Sequence, residues 1–185
     1  MSQNLIDKPV WTYADYCVLP QDYNRHEIIE GDHIVTPSPT SKHQLVLMRL
    51  SSLLESHVRS RDLGLLLPAP LDVLFAPTSV VQPDLIFVRK DRKHIITKAN
   101  IQGAPDLLVE ILSPSTGAID RGGKMELYAK YGVPHYWILD SGRMTLEMYE
   151  LKDQEYRLIA QFGPQAKAEC VLFPGLAIPM ADLNV

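Results

Sequence analysis

The chain has 185 residues, and its 18 lysines and arginines against 22 aspartates and glutamates give a formal net charge of −4. Hydrophobic residues make up 46% and charged residues 22%, which is the composition of an ordinary globular protein. The mild acidity excludes a protein that coats nucleic acid through bulk positive charge, although it is compatible with a local basic site. No apolar stretch approaches the roughly 18 residues that span a bilayer, so we expect no transmembrane helix and no membrane partner.

The N-terminus and the cysteines bear on location and domain organisation. The first residues, MSQNLIDKPVW, lack a basic region followed by an apolar core, so we expect no signal peptide. Cys17 and Cys170 match no metal-ligand spacing and are too few for a disulfide framework, which favours a reducing, cytoplasmic location. The length suits a single domain that spans residues 1–185.

The first third of the chain predicts two helices separated by a pair of strands. Thr12 is a suitable N-cap for a short helix in TYADYCVL. The segment HEIIEGDHIV indicates two short strands around a turn at Gly31. From Lys42 to Arg59 apolar residues recur at helical spacing, and Asp62 and Gly64 are expected to end this helix.

In the rest of the chain the apolar residues no longer recur at helical spacing, and their pattern predicts mainly strands. Three short apolar runs, LDVLFA, DLIFV and DLLVEIL, indicate buried strands. A turn-rich loop, SPSTGAIDRGG, leads into a predicted helix, KMELYAKY. HYWILD is a further strand, TLEMYEL and YRLIAQF form an antiparallel pair, and the tail FPGLAIP is an edge element. This order predicts a mixed β-sheet flanked by helices, of the α/β or α+β class, covered on both faces near its centre.

An acidic residue interrupts two of the predicted buried strands. Asp84 follows Pro83 in VVQPDLIFV, and Glu110 lies between Val109 and Ile111 in DLLVEIL. A carboxylate within a buried strand costs several kcal/mol unless it is paired or bound to a cation. One such residue alone would favour an ion pair at a strand end. Two of them on neighbouring strands favour a shared divalent cation, and hard oxygen ligands suit Mg²⁺ or Mn²⁺.

Asp120 and Lys124 lie four residues apart at the start of the predicted helix and therefore share a face. A solvent-exposed helix pair is the commoner meaning of this spacing. The alternative is that Lys124 points toward the two carboxylates across the end of the sheet. The spacing alone favours neither interpretation.

Several of these motifs resemble a known family. The stretch VQPDLIFV, with the later GAPDLLVEILSPSTGAIDRGGKMELYAKYGVPHYWILD, is similar to a large bacterial family of "putative restriction endonucleases" within the PD-(D/E)XK superfamily. HEIIEGDHIV, PSPTSKHQ and LFPGLAIPMADL also match, so the resemblance covers nearly the whole chain. It implies a restriction-endonuclease-like core in which Asp84 and Glu110 bind Mg²⁺ and Lys124 is the catalytic lysine.

The chain departs from the superfamily pattern at one position. The superfamily's lysine stands two residues after the glutamate, where this sequence has Leu112. The resemblance implies that the following helix supplies the lysine instead, and Lys124 is the residue that matches. It also implies that the backbone carbonyl of Ile111 can complete the coordination shell of the metal.

The resemblance points to three further positions. Glu30 matches an acidic position near the catalytic site in the superfamily, although a turn carboxylate that faces water is at least as good an interpretation. His43 is expected to have a structural role, hydrogen-bonded near the start of the long helix. For Asp72, proximity to the metal and a plain structural hydrogen bond are equally good interpretations.

A basic run after the Asp84 strand is a candidate nucleic-acid-binding segment. The run consists of Arg89, Lys90, Arg92, Lys93 and Lys98. Such a run is most often a solvated loop, but beside a metal site it would contact phosphates and give salt-sensitive binding. Arg121 is a second candidate for this role. The aromatic residues of the 128–137 segment are expected to pack in the core rather than stack on bases.

These observations predict a metal-dependent endonuclease that hydrolyses phosphodiester bonds in DNA through Asp84, Glu110 and Lys124, with Glu30 as a further candidate. The reaction needs a metal to polarise the phosphate and activate water, and a cation to balance charge on the phosphoryl oxygens. Two rivals stay open: a nuclease-fold module that binds nucleic acid or protein without cleaving, and a structural protein whose carboxylates form ion pairs. RNA is an alternative substrate, and a homodimer is expected because a double-strand cut needs two sites.

Overall fold

A computed structural model describes residues 8–20 and 22–185, in which short strands outnumber helices. The signal-peptide prediction rests largely on residues 1–7, which lie outside the described residues. The first half contains α1 (Tyr13–Cys17), β1 (Arg25–Ile29), β2 (Asp32–Thr36), α2 (Ser41–Ser60), β3 (Gly64–Pro68), β4 (Val73–Ala76), β5 (Ser79–Val81), β6 (Leu85–Arg89) and a 3-10 helix (Lys90–Ile95). The second half contains β7 (Ile101–Gln102), β8 (Leu107–Leu112), α3 (Gly117–Arg121), α4 (Gly123–Lys130), β9 (His135–Asp140), β10 (Thr145–Lys152), β11 (Glu155–Phe162), β12 (Lys167–Glu169), β13 (Ala177–Pro179) and α5 (Met180–Leu183). In this part of the chain no helix is both long and apolar enough to cross a membrane.

A six-stranded mixed sheet forms the centre of the fold, in the order β11-β10-β9-β8-β6-β3. Neighbouring strands are antiparallel except β8 and β9, which run parallel. A parallel pair needs a crossover of about a dozen residues or more, and the segment that holds α3 and α4 supplies it. The crossover therefore brings two short helices back onto the sheet directly after β8, the strand that carries Glu110.

Two smaller sheets complete the fold. One has five strands in the order β2-β1-β5-β4-β7, and the other pairs β12 with β13. In the five-stranded sheet only β4 and β7 run parallel. Because β1 and β5 are neighbours there, the β1–β2 hairpin lies close to the chain segment that leads from β5 into Asp84 and β6.

Alternation along β8 gives the central sheet two different buried faces. Leu107, Val109 and Ile111 belong to one apolar cluster, which also contains residues of α2 and of the C-terminal segment. Leu108 belongs to the other cluster, together with residues of α4 and of the five-stranded sheet. Glu110 points to this second face because side chains two residues apart on a strand share a side. Burial of both faces explains why the β8 sequence is apolar almost throughout.

Most of the predicted elements are confirmed. Thr12 caps α1 in a capping box with Asp15, and the long predicted helix corresponds to α2. The helix α4 and the antiparallel pair β10 and β11 also occur where the periodicity predicts them. The fold class, a mixed sheet flanked by a small number of helices, is confirmed as well.

Three features of the prediction are wrong. The segment expected to be a loop contains α3, which begins at Gly117 and is capped by Gly122, and these glycines obscure its helical pattern. The strands β3, β5, β7 and β12 are absent from the prediction. The last three have only three, two and three residues, too few to show a period, and the leucine-rich β3 shows no alternation. The tail is more than an edge element, since Phe173 and Ile178 are buried in the same apolar cluster as α2.

Gly64 marks a point where β3 and β6 approach closely. A Cβ atom at this position would lie 2.1 Å from the carbonyl oxygen of Val88, which belongs to the backbone of β6. We expect Gly64→Ala to lower the free energy of unfolding by about 2 kcal/mol or more, because the strands would have to move apart. Thermal unfolding measures the change. Gly163→Ala is the matched control, since nothing lies within 4 Å of its Cβ position, and equal melting temperatures for the two variants would contradict the close contact.

Candidate metal centre and active site

Two carboxylates meet where β6 and β8 lie side by side. Leu85 pairs with Val109 in this antiparallel register, so Asp84, one residue earlier, lies beside Glu110. The amide of Ile111 donates to Asp84 Oδ2 at 2.8 Å and fixes the carboxylate against β8. Asp84 and Glu110 are each 1% exposed. The prediction that the two acidic residues occupy neighbouring strands is therefore confirmed.

Protein donors contact both oxygens of Asp84. Arg25 donates to Oδ1 at 3.0 Å, and Nε2 of His43 lies 3.0 Å from Oδ2. Burial alone would raise the pKa of Asp84, but the hydrogen bond from His43, the charge of Arg25 and the Ile111 amide together lower it below its ordinary value. An ionised carboxylate can only accept, so His43 carries a proton on Nε2. Asp84 is thus the stable anion of the site.

Glu110 has the opposite tendency. Lys124 Nζ donates to Glu110 Oε1 at 3.0 Å, and the hydroxyl of Tyr128 donates to the same oxygen at 2.7 Å. Burial raises the pKa of Glu110 well above its ordinary value; the charge of Lys124 opposes this effect, and the neighbouring carboxylates add to it. Without a further cation, the environment of Glu110 favours its protonated form.

Lys124 lies at the centre of a buried cluster of carboxylates. Its Nζ is 3.0 Å from Glu27 Oε1, 3.0 Å from Glu110 Oε1 and 3.5 Å from Asp120 Oδ1. Burial lowers the pKa of Lys124, but the carboxylates around it raise that pKa by more, so the ammonium group stays charged. Lys124 and Asp120 are each 1% exposed, which excludes the solvent-exposed pair. The alternative, in which Lys124 points toward the carboxylates, is confirmed.

Three residues at intervals of four form one stripe along α3 and α4. Asp120, Lys124 and Tyr128 all contact Glu110 or one of its partners, although α3 and α4 are separate helices that meet at Gly122. Burial raises the pKa of Asp120, and Lys124 opposes this effect. Asp120 Oδ1 is buried and accepts no hydrogen bond from the described residues. Its contact with Lys124 Nζ at 3.5 Å is an ion pair without hydrogen-bond geometry, so this oxygen can still accept a further partner.

These groups line one cavity of about 160 Å³, which we call the site cavity. Asp84, Glu110, Asp120 and Lys124 form its buried wall. Two segments that are mostly exposed or half-buried, 36–40 and 113–116, form its rim. In these rim segments prolines stand among serines and threonines. The site cavity therefore joins an acidic interior to a neutral, hydroxyl-lined opening.

The oxygen atoms that line the site cavity are suitable ligands for a hard divalent cation. Asp84 and Glu110 present carboxylates to the same space, Ile111 also lines it, and Asp120 has an oxygen without a hydrogen-bond donor. Among residues 8–20 and 22–185, no three Asp, Glu, His or Cys side chains form a ready-made metal cage. Mg²⁺ commonly binds through one or two carboxylates and keeps several waters, so two carboxylates are sufficient for it.

Strand β1 contributes two site residues that the sequence analysis missed. Arg25 and Glu27 contact Asp84 and Lys124, respectively, from alternate positions of β1. The signal that could have found Glu27 is its place two residues before Ile29 on the buried side of the strand. Charged residues in a short hairpin are usually exposed, so the sequence favours an exposed Glu27.

Glu30 lies outside the site. It follows β1 at the hairpin turn, where it pairs with Lys130 and accepts a hydrogen bond from Ser79, and it does not line the site cavity. The structure therefore brings Asp84, Glu110 and Lys124 together and does not bring Glu30 to them. The interpretation as a turn carboxylate fits the observed position.

The basic run lies at the other end of β6 from Asp84. Its predicted nucleic-acid contacts are Arg89, Lys90, Arg92 and Lys93. The five residues of β6, at roughly 3.3 Å each, separate this run from the carboxylates. Arg92 binds Asp106 at 2.9 Å, Lys90 pairs with Asp62, and no residue of the run lines the site cavity. The premise that the run lies beside the metal site is wrong, and its binding of nucleic acid stays a prediction.

Arg121 is engaged with another part of the protein. Its two terminal nitrogens donate to the two carboxylate oxygens of Glu147 at 2.6 and 3.0 Å, which is a bidentate pair. Arg121 does not line the site cavity, although its neighbour Asp120 does. The pair connects α3 to β10, and a role for Arg121 in nucleic-acid binding stays a prediction.

The remaining predicted positions have clear partners. Asp72 accepts hydrogen bonds from Tyr16 at 2.8 Å and from Gln82 at 2.9 Å and does not line the site cavity, so the structural interpretation is confirmed. His43 lies in the first turn of α2, as expected, and its imidazole reaches Asp84. The buried aromatic residues of the 128–137 segment are Tyr128, Tyr136 and Trp137.

Removal of the Lys124 charge is expected to destabilise the protein. Lys124→Met would leave Glu27, Glu110 and Asp120 buried without their shared cation, and breaking a buried ion pair in this way costs about 3 kcal/mol or more. Urea unfolding in the presence of a chelator measures the change.

Lys130→Met on the same helix is the matched control for Lys124→Met. The side chain of Lys130 is 55% exposed and its partner Glu30 is also exposed, so the control should unfold like the wild type. Wild-type stability of Lys124→Met would contradict the buried ion cluster.

The chain matches one protein family and is similar to two further proteins. Residues 13–181 match the family Uma2, whose description is "Putative restriction endonuclease". An uncharacterized protein of Synechocystis sp. is 28% identical over 147 residues, which cover 78% of this chain and 76% of that protein. The crystal structure of "a putative nuclease belonging to DUF820" from Anabaena variabilis shares the fold, with a TM-score of 0.75 at 24% identity over 93% of this chain and 96% of that chain. The chain thus belongs to the Uma2 family of "putative restriction endonucleases".

Proposed function

We propose that this chain is a metal-dependent endonuclease that hydrolyses phosphodiester bonds in DNA. In this proposal Asp84 and Glu110 hold Mg²⁺ or Mn²⁺, the carbonyl of Ile111 can add a ligand, and Lys124 supplies a fixed positive charge. Membership of a nuclease family supports the reaction class. The observation that carries the proposal is the excess of negative charge buried around Lys124.

The charge excess follows from the composition of the buried cluster. Its four carboxylates, each 1% exposed, are Glu27, Asp84, Glu110 and Asp120. Within the described chain, Arg25 and Lys124 are the two permanent cations that contact them. Ionisation of all four carboxylates leaves two uncompensated negative charges. Because uncompensated buried charge is costly, such a site either keeps protons or binds a cation, and a divalent cation matches the excess.

The residues of the site would have separate tasks in hydrolysis. A bound divalent cation polarises a phosphate and lowers the pKa of a coordinated water. Asp84, kept ionised by Arg25 and His43, is a permanent anionic ligand. Glu110 becomes the second anion when it loses its proton. Lys124 stays charged beside Glu110, where its ammonium group can offset the charge that develops on phosphoryl oxygens.

Glu27 and Tyr128 would act as positioning residues. Glu27 accepts a hydrogen bond from the backbone amide of Gln82 at 2.7 Å. This bond fixes the Glu27 carboxylate, which in turn holds Lys124. Tyr128 and Lys124 donate to the same oxygen of Glu110. The other oxygen of Glu110 then has no donor among the described residues and is the one we assign to the cation.

A second candidate function is a nuclease-fold module that binds nucleic acid or protein without cleaving it. One observation favours this candidate, namely that Arg25, His43 and Ile111 already satisfy both oxygens of Asp84. A carboxylate with these partners is stable in the folded protein without metal. Metal binding and cleavage therefore separate the two candidates.

Cleavage of closed circular DNA tests the proposed function. With millimolar Mg²⁺ or Mn²⁺, we expect the wild type to open single-stranded or supercoiled circles, and Asp84→Asn to lower the rate by about 100-fold or more because a ligand charge is lost. Asp72→Asn is the matched control, since Asp72 lies outside the site cavity and should leave the rate unchanged.

The same assay separates the proposal from its rival. Cleavage by Asp84→Asn at the wild-type rate would contradict the proposed site. Failure of the wild type to cut while it binds both metal and DNA would favour the binding module.

Metal binding is also expected to raise the melting temperature. A cation that binds only the folded state at about 100 times its dissociation constant adds about 2.7 kcal/mol of stability. We expect Mn²⁺ to stabilise the wild type and the Asp72→Asn control, and to have no such effect on the Asp84→Asn, Glu110→Gln double variant. An equal response of all three proteins would move the metal site elsewhere.

A further inference from the structure

We propose that the substrate reaches the carboxylates as an unpaired nucleic-acid strand, with one base stacked on Tyr23 and a neighbouring phosphate inside the site cavity. The inference rests on the proposed function, because it specifies the form of substrate that the same site accepts. Three observations carry it: the depth of the carboxylates, the character of the rim, and an exposed aromatic side chain next to the rim.

The carboxylates that would meet the phosphate are almost completely buried. The side chains of Asp84, Glu110 and Lys124 are each 2% exposed. The site cavity that they line has a volume of about 160 Å³. A cavity of about 150 Å³ holds one benzene molecule, so the space suits a phosphate with a metal ion and water. It does not admit the paired bases and second strand that accompany each phosphate of a duplex.

The two rim segments are conformationally restrained. Their sequences are Thr-Pro-Ser-Pro-Thr at 36–40 and Ser-Pro-Ser-Thr at 113–116. Proline fixes the φ angle and reduces the number of conformations that such a segment can adopt. Hydrogen bonds from Ser113 Oγ to the hydroxyls of Ser115 at 2.9 Å and Thr116 at 3.0 Å tie the second segment further. These restraints limit how far the rim segments can move apart to admit a bulky duplex.

The rim presents hydroxyl groups instead of positive charge. Arg25 and Lys124 are the cations among the described residues that line the site cavity, and both are paired with carboxylates. Proteins that hold a duplex usually contact many phosphates with lysines and arginines. The basic run that could do so lies at the far end of β6. The rim therefore lacks the row of cations with which proteins usually hold a duplex, and hydroxyl groups are its polar contacts for a strand.

The stiffness of double-stranded DNA leads to the same conclusion. To place one phosphate of a duplex inside the site cavity, the duplex must bend or unstack locally, and this deformation costs free energy. An unpaired strand rotates freely about its backbone and can present a single phosphate. The geometry of the site cavity therefore selects single strands, loops or ends that have come apart.

An exposed aromatic residue lies next to the rim. Tyr23 is 93% exposed, and its backbone carbonyl accepts a hydrogen bond from the hydroxyl of Ser38 in the first rim segment. A ring with this exposure contributes little to the packing of the chain. Proteins that bind single strands place aromatic rings along the strand so that unpaired bases stack on them. Tyr23 is in a suitable place to hold a base while the adjoining backbone enters the site cavity.

Three labelled DNA substrates of one sequence test the form of the substrate: a single strand, a blunt duplex, and a duplex with an unpaired internal loop. With wild-type protein and Mn²⁺ we expect the single strand and the loop to be cut at least about tenfold faster than the blunt duplex. Cuts in the looped duplex should fall within the unpaired nucleotides.

The outcomes distinguish the inference from the proposed function. Cleavage of the blunt duplex as fast as the single strand would overturn the inference and leave the proposed function intact. Failure to cut any of the three substrates, by protein that binds Mn²⁺, would overturn the proposed function and the inference with it.

Binding of the single strand in the presence of a chelator tests Tyr23 without interference from cleavage. Tyr23→Ala removes one stacking contact and should weaken binding of the single strand about 5-fold to about 100-fold. Tyr23→Phe keeps the ring and should bind like the wild type. Val171→Ala is the control, since Val171 is 87% exposed and does not line the site cavity. Wild-type affinity of Tyr23→Ala would overturn the assignment of Tyr23.

Discussion

The burial of several carboxylates between two apolar sheets is the constraint on which the rest of this structure depends. A carboxylate at the centre of a sheet is costly unless donors surround it, and donors must come from every element that packs against the strand. Here β1, α2, β8 and α4 each supply at least one donor or cation to Asp84 or Glu110. The positions of these elements are therefore fixed by charge as well as by hydrophobic packing.

The same constraint gives the two central carboxylates different properties. Asp84 lies among Arg25, His43 and a backbone amide, which lower its pKa, whereas burial raises the pKa of Glu110 despite its contact with Lys124. Neighbouring groups whose pKa values are moved in opposite directions are typical of sites that carry out chemistry. Burial causes the upward shift of Glu110 and opposes the downward shift of Asp84, so the difference between the two carboxylates comes from their hydrogen-bond donors and charged neighbours. In our proposal the same burial also restricts the form of the substrate.

The parts of the site that could be predicted are those whose residue types are unusual for their local sequence. Asp84 and Glu110 are visible because an acidic residue in an apolar run is rare, and the interval between Asp120 and Lys124 indicates a shared face. Arg25 and Glu27 break no rule, because charged residues are ordinary in a short hairpin. Only the pairing of β1 with β5 brings them to the carboxylates.

Proximity along the chain was a poor guide to proximity in space. Arg89 follows Asp84 by only five residues, but the extended strand β6 between them places the two residues at opposite ends of the strand. Lys124 follows Glu110 by fourteen residues, and the crossover returns it to within 3.0 Å. The fold class was predictable because periodicity reports which faces are buried, whereas very short strands such as β5 and β7 form only where neighbouring strands hold them.

The most direct test of the central claim, that the acidic interior of the site cavity is a metal centre, is anomalous diffraction from a crystal grown or soaked with Mn²⁺. The account predicts a peak within coordination distance of both Asp84 and Glu110, together with loss of the peak in a crystal of Asp84→Asn. A wild-type crystal at saturating Mn²⁺ with no peak between these carboxylates would contradict it.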